Sequence, residues 1–232
     1  VIFRLESHTM IVWLASYPRS GNTLARRMLK QVFCHESYSQ YNDRKDIGSR
    51  PDVASNVGHR SYEKPWLEFL AAAKAAPDLH IIKTHHPPQD DEPVIYVVRD
   101  GRAAAVSFFH FLCDERKREG VTLEKVIEGD TPFGSWGDHL DAWQPLDRPR
   151  TLFLRFEDMT ERPEKVIASM ALFLKMEKQM EWANNIASLQ KLYPGFFRSG
   201  NDALNKAEMD ARHNALFESR YGLWLRRLGY LD

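Results

Sequence analysis

Ile11-Val-Trp-Leu-Ala-Ser-Tyr-Pro-Arg-Ser-Gly-Asn-Thr23, running on into Leu24-Ala-Arg-Arg-Met-Leu-Lys30, decides how this chain is read. An apolar run of strand character, Ile11 to Ala15, breaks at Pro18, Ser20, Gly21 and Asn22, residues that favour turns. A helical pattern follows, with Leu24, Met28 and Leu29 on one face. Strand, tight loop and helix in this order aim several backbone N–H groups at one point, where the positive end of the helix dipole adds its field. N–H groups curved into such a nest hold phosphate oxygens. Arg19, Ser20, Asn22 and Thr23 add side-chain donors. The bland alternative is an ordinary strand-to-helix turn.

The Walker A pattern, G-x-x-x-x-G-K-[ST], does not fit. The stretch has one glycine and no Gly-Lys pair, and its basic residue, Arg19, precedes the glycine. It reads as a phosphate cradle of P-loop type with a different signature.

The 232 residues, 43% hydrophobic and 28% charged, suit one α/β domain with a well-buried core. The net charge is zero, which argues against a general nucleic-acid binder and leaves room for a local basic pocket. Cys34 and Cys113 are the only cysteines. They make no disulfide framework and suit a reducing cytoplasm, and no His or Cys spacing suggests a metal site. No apolar stretch reaches membrane-spanning length, so stable membrane insertion is not expected. Residues 1–9 read as a remnant ahead of a natural start at Met10, and 10–232 as a single domain.

Outward from the opening stretch, residues 35–64 are polar and irregular, the character of a functional loop or lid. Pro65 opens a helix over Trp66–Ala76, and Pro77 stops it. Leu79–Lys83, Val94–Val98 and Thr151–Arg155 read as buried strands, and uninterrupted Val/Ile runs suit a parallel sheet covered on both faces. Helices are expected over Ala103–Arg118, Thr122–Glu128, Trp136–Trp143, Pro163–Lys175 and Glu208–Leu228, with 193–207 as loop. Arg162 is a poor N-cap for the helix at Pro163. The alternation predicts an α/β fold, a single P-loop-type domain with a central parallel sheet flanked by helices.

Ligands of open α/β sheets bind beyond the carboxyl ends of the strands. Polar groups stand at such ends in Arg19–Thr23, Lys83–His86, Arg99–Arg102 and Arg155–Asp158, and should meet in one crevice. Ser107, eight residues after Arg99, can face the same side, and Phe196–Asn201 offers an Arg and a glycine as a lid over an anion. Blander roles are assigned to other residues. His86 and His110 read as structural, and Glu157-Asp158 as partners of Arg155. Trp136 and Trp143 read as core, and so do Phe108, Phe109 and Phe111, with one ring available to a pocket wall.

Together these residues resemble the sulfotransferases that use 3′-phosphoadenosine 5′-phosphosulfate (PAPS), of the soluble cytosolic type in a short, bacterial-like form. Ser16-Tyr-Pro-Arg-Ser-Gly-Asn-Thr23 is similar to their 5′-phosphosulfate loop, and Ile82-Lys-Thr-His-His-Pro87 to their Lys-Thr-His-x-Pro segment. Tyr96 to His110 resembles their 3′-phosphate segment. Gly134–Trp143 and Arg155–Met159 also resemble family segments, and Arg198-Ser-Gly200 stands where the family has Arg-Lys-Gly. The segments run in the family's order from Met10 to about Tyr230.

The resemblance implies roles. Arg19 takes the place of the lysine that bridges the 5′-phosphate and the sulfuryl group, with Ser20, Gly21, Asn22 and Thr23 as the cradle and Leu24 beside the base. Arg99 and Ser107 would bind the 3′-phosphate, with Arg198, Ser199 and Gly200 closing over it. His85 would be the general base and Lys83 the lysine beside it. The implied reaction is in-line sulfuryl transfer from PAPS to a hydroxyl or amine of a small-molecule acceptor, leaving adenosine 3′,5′-bisphosphate, without a metal. Three departures stand out. Leu24 replaces the family's tryptophan, Ser199 replaces a lysine, and Asn205–Asn214 does not resemble the family's dimerisation motif, so oligomeric state is open. The acceptor has no readable code, although residues 35–64 and 114–134 are expected to shape its site. The alternatives are a P-loop small-molecule kinase, whose Gly-Lys-[ST] loop is missing, and a non-catalytic nucleotide-binding module.

Overall fold

In a computed structural model, which describes residues 11–184, 191 and 207–232, the opening strand β1 (Ile11–Ala15) is buried along its whole length. It lies at the centre of a five-stranded sheet of order β2-β3-β1-β4-β5, with β2 at Tyr38–Ser39, β3 at His80–Thr84, β4 at Val94–Val98 and β5 at Thr151–Arg155. Every pairing is parallel. The register sets Ala15 against both Thr84 and Tyr96, and Val98 against Arg155. The ends of β1, β3, β4 and β5 therefore open on one edge of the sheet. From β1 the chain runs to β2 on one side, returns through β3, and crosses to β4 on the other. That reversal of strand order is where α/β folds place their ligands.

Successive strand residues point to opposite faces. Ile11, Trp13 and Ala15 join Tyr96 and Val98 on one face, under α4 (Gly101–His110), α5 (Leu123–Glu128), α6 (Trp136–Trp143) and α9 (Ala211–Arg227). Val12 and Leu14 join Ile95, Val97, Leu152 and Leu154 on the other, under α1 (Asn22–Phe33) and α8 (Pro163–Leu174). Two further helices are α3 (Trp66–Ala75) and α7 (Phe156–Glu161). Trp136 and Trp143 are core side chains, and Arg162 makes no side-chain cap on α8, whose first turn instead holds Pro163.

One expectation is corrected here. Residues 35–64 are not an irregular lid. They contain β2, a short 3-10 turn at Ile47–Ser49 and α2 (Pro51–Val57), with Ile47, Val53 and Val57 buried. The layer is organised by polar contacts more than by apolar periodicity. α7 is a further element the sequence reading missed.

Candidate active site

The loop after β1 takes a backbone path that serves anion binding. Arg19 has φ 65° and Gly21 φ 105°, both left-handed, which costs a non-glycine residue about 1–2 kcal/mol. A Cβ at Gly21 would stand 2.7 Å from Phe156 Cδ2, so only glycine fits there. Gly21 precedes α1 with no side-chain cap, which leaves the first-turn N–H groups for a ligand. Ser20 is 1% exposed, and its Oγ has no hydrogen-bond partner among the described residues. An orphaned donor beside a positive helix end fits an anionic oxygen.

The Asn22 side chain does not serve as expected. Its amide donates to the Leu14 carbonyl at 2.9 Å and to Ser16 Oγ at 3.3 Å. It braces the loop against the end of β1. Thr23 and Leu24 line the cavity.

Arg19, Ser107 and Arg99 come together as expected. Arg19 Nε donates to Ser107 Oγ at 3.3 Å, and Arg99 Nη1 donates to the Arg19 carbonyl at 3.1 Å. Arg99 also lies over the Phe156 ring at 4.6 Å, and Arg19 over Phe111 at 5.3 Å. Phe111 is thus the ring of its cluster that stands over the loop arginine. Arg102 instead pairs with Asp100 and donates to the Tyr230 carbonyl. His110 pairs with Glu208. Arg155 lies 3.7 Å from Glu157.

His85 is fixed on several sides. Its Nδ1 is 2.7 Å from the Ser16 carbonyl. A carbonyl only accepts, so Nδ1 carries the hydrogen and Nε2 keeps its lone pair. The His85 backbone N–H donates to Tyr41 Oη at 2.7 Å, the Tyr41 ring stacks on the imidazole, and Phe133 meets it edge-on. Burial, and secondarily the Lys83 charge, hold the His85 pKa well below 6.5, so the ring is neutral at pH 7.

Lys83 belongs to a buried charge cluster that the sequence did not reveal. Its Nζ donates to Asp43 Oδ1 at 3.0 Å, while Arg26 Nη1 donates to Asp43 Oδ2 at 2.8 Å. Arg26, fully buried, also donates to Ser37 Oγ at 2.8 Å and lies 2.8 Å from His59 Nδ1. Burial alone would raise the Asp43 pKa, but Lys83 and Arg26 outweigh it and hold the carboxyl far below the usual range. Burial, then Arg26, push His59 down to about 4, so it stays neutral. Two cations share one carboxylate, and the surplus positive charge faces the cavity through Lys83.

These groups border one cavity of about 790 Å³, within the range of small-ligand sites. Its lining includes Arg19, Gly21, Thr23, Leu24, Arg27 and Phe156 from the loop after β1, α1 and α7, together with Tyr41, Asp43, Lys83, His85, Phe111 and Phe133. Segments 35–64 and 114–134 both contribute walls to this cavity, through Tyr41, Arg44, Asp46, Arg116 and Phe133. Arg198, Ser199 and Gly200 lie outside the described residues. Among the described residues, no helix is long and apolar enough to cross a membrane.

A family model described as the sulfotransferase domain matches residues 10–226. Sulfotransferase 1E1 of Homo sapiens is 27% identical over 195 residues, 75% of this chain and 62% of that protein. Sulfotransferase 1A1 of Mus musculus is 29% identical over 185 residues, 70% of this chain and 59% of that protein. The chain spans about six-tenths of the length of the curated relatives it matches. Among solved structures, mouse sulfotransferase SULT7A1 complexed with PAP aligns with a TM-score of 0.67 at 19% identity, covering 98% of this chain and 90% of that one. Retinol dehydratase in complex with retinol and PAP aligns at 0.60 and 18%, covering 96% and 82%. The two structures share the fold, and the match to the family model reaches from the start of β1 into the last helix: the chain belongs to the sulfotransferase domain family.

Proposed function

We propose that this chain is a PAPS-dependent sulfotransferase that moves a sulfuryl group to a hydroxyl, or less often an amine, of a small-molecule acceptor. The observation that carries the reading is His85. Its tautomer is fixed by Ser16, its Nε2 is left basic, and it borders the same cavity as the anion-binding loop.

PAPS, when bound, supplies an activated sulfuryl group with a phosphate oxygen as leaving atom. The loop N–H groups and Ser20 Oγ would hold the 5′-phosphate, and Arg99 and Ser107 the 3′-phosphate. Arg19 and Lys83 place positive charge where negative charge develops in the transition state. His85 Nε2 takes the proton of the acceptor, which is a poor nucleophile until that proton is leaving. Tyr41 and Phe133 offer flat walls beside His85, which suits an acceptor with an aromatic or apolar body. The free thiols Cys34 and Cys113 support a cytoplasmic location.

The test is a panel of phenols, alcohols and amines incubated with sulfur-labelled PAPS. Transfer of label to at least one acceptor supports the reading. Failure to bind adenosine 3′,5′-bisphosphate, with no transfer across the panel, overturns it.

A further inference from the structure

Arg26 and Arg27 are consecutive on α1 and both are buried, at 0% and 3% exposure, yet they differ in what satisfies them. Arg26 is partnered by Asp43, Ser37 and His59. Arg27 has no carboxylate partner among the described residues, and its Nη1 is buried without a hydrogen-bond partner. Its contact is the Trp182 ring, 5.7 Å from the guanidinium carbon. A buried charge left in that condition is expensive, and burial pulls its pKa below the ordinary arginine value. The side chain borders the cavity beside Leu24, Phe156 and Thr160. A group that costs stability and faces a ligand cavity is a candidate for completion by the ligand.

The position narrows the chemistry. Arg27 is five residues past Asn22, about 7.5 Å along the helix axis from the anion cradle. Its side chain leans back toward that end. A nucleoside extending from a 5′-phosphate in the cradle would lie between them. The lining there includes the apolar Leu24 and the aromatic Phe156 as well as the hydroxyl of Thr160, which suits a flat ligand part with a few polar atoms. A guanidinium has donors only, and adenine presents ring-nitrogen acceptors. On the reading that this cavity binds PAPS, we propose that Arg27 binds the adenine. Its guanidinium donates to ring nitrogens of the base while Trp182 covers its other side, at the wall where Leu24 offers no aromatic ring.

Calorimetry with the purified chain, Arg27→Met and Arg27→Lys tests this, with adenosine 3′,5′-bisphosphate, 5′-AMP and adenosine as ligands. Arg27→Met should weaken all three by a similar factor of ten or more. The unliganded variant should melt at the same or a higher temperature, because an uncompensated buried charge is gone. Arg27→Lys, which keeps the charge and loses the planar donor set, should fall between wild type and Arg27→Met. A loss confined to the bisphosphate would overturn the proposal in favour of a 3′-phosphate contact. A loss shared by both nucleotides but not adenosine would overturn it in favour of a 5′-phosphate contact. Unchanged affinities for all three, with wild type binding well, would overturn it while leaving the sulfotransferase reading intact. Failure of the wild type itself to bind the bisphosphate would overturn both.

Discussion

Replacing Asp43 with Asn keeps the side chain's shape and removes the one negative charge in the buried cluster. Asp43 is 4% exposed, with Arg26 at 2.8 Å and Lys83 at 3.0 Å. Across about 3 Å at an effective dielectric near 20, the gross attraction is about 5–6 kcal/mol per pair. Much of that is offset by desolvation. Removing one partner of such a pair still costs about 3–5 kcal/mol, because the remaining charges stay buried without compensation. A domain has only about 5–15 kcal/mol in hand. With a urea slope of about 2–3 kcal/mol/M, the midpoint should fall by about 1–2 M at an unchanged slope. Arg26→Met added to Asp43→Asn removes one stranded cation, so the double variant should be more stable than Asp43→Asn alone. Urea denaturation followed by fluorescence measures both. An Asp43→Asn midpoint within about 0.3 M of wild type, about 1 kcal/mol on that slope, would refute the reasoning, since the cluster would then not be holding the residue 35–64 layer to β3.

Gly21→Ala should lower both the melting temperature and the affinity for adenosine 3′,5′-bisphosphate, because the new Cβ meets Phe156 at 2.7 Å and strains a φ of 105°. Thermal melts with and without the ligand check this, and wild-type behaviour in both would contradict the loop geometry. Stability should fall on acidification below pH 6.5. Burial, and for His59 also Arg26, set the folded pKa of His59 at about 4, and burial chiefly sets that of His139 at about 3, both from an ordinary 6.5. Between those values and 6.5 the unfolded chain binds more protons, so stability is complete above 6.5 and declines as pH falls. Each histidine costs about 2 kcal/mol at pH 5, and equal urea midpoints at pH 7 and pH 5 would contradict this. Arg19→Ala should lower kcat about a hundredfold or more while weakening nucleotide binding less, and Arg19→Lys should retain substantial activity. A lysine variant as inactive as alanine would point to a bidentate phosphate contact instead.

Much of the site was legible because it lies next to strong local signals. Arg19, His85 and Arg99 each follow a short buried strand that reads plainly as one, strand ends of a parallel sheet share an edge, and Ser107 sits two turns into the helix that leaves β4. The fifth strand, Tyr38–Ser39, is two residues long and leaves no periodicity to detect. The Asp43 cluster joins residues 26, 43, 59 and 83 across separate elements, and nothing in local spacing announces such a meeting. Asn22 looked like a phosphate ligand by residue type, and its use as a brace depends on where the Leu14 carbonyl points. Arg27 was invisible for a related reason: in sequence it is one of two adjacent arginines, and only burial and pairing separate them.

Single-turnover transfer with His85→Asn and His86→Asn tests the central claim most directly. An asparagine amide can keep the hydrogen bond to the Ser16 carbonyl, so His85→Asn should fold and bind adenosine 3′,5′-bisphosphate like wild type. Without Nε2 it should lose about a hundredfold or more in the transfer rate. His86 is half-buried, packs its ring near Tyr41 and Phe133, and does not border the cavity, so His86→Asn should lose little. With wild type, kcat/KM should hold down to well below pH 6.5 before falling, because burial and Lys83 depress the His85 pKa. Transfer by His85→Asn at the wild-type rate would contradict the account, because the histidine proposed to take the acceptor's proton would then not be taking it.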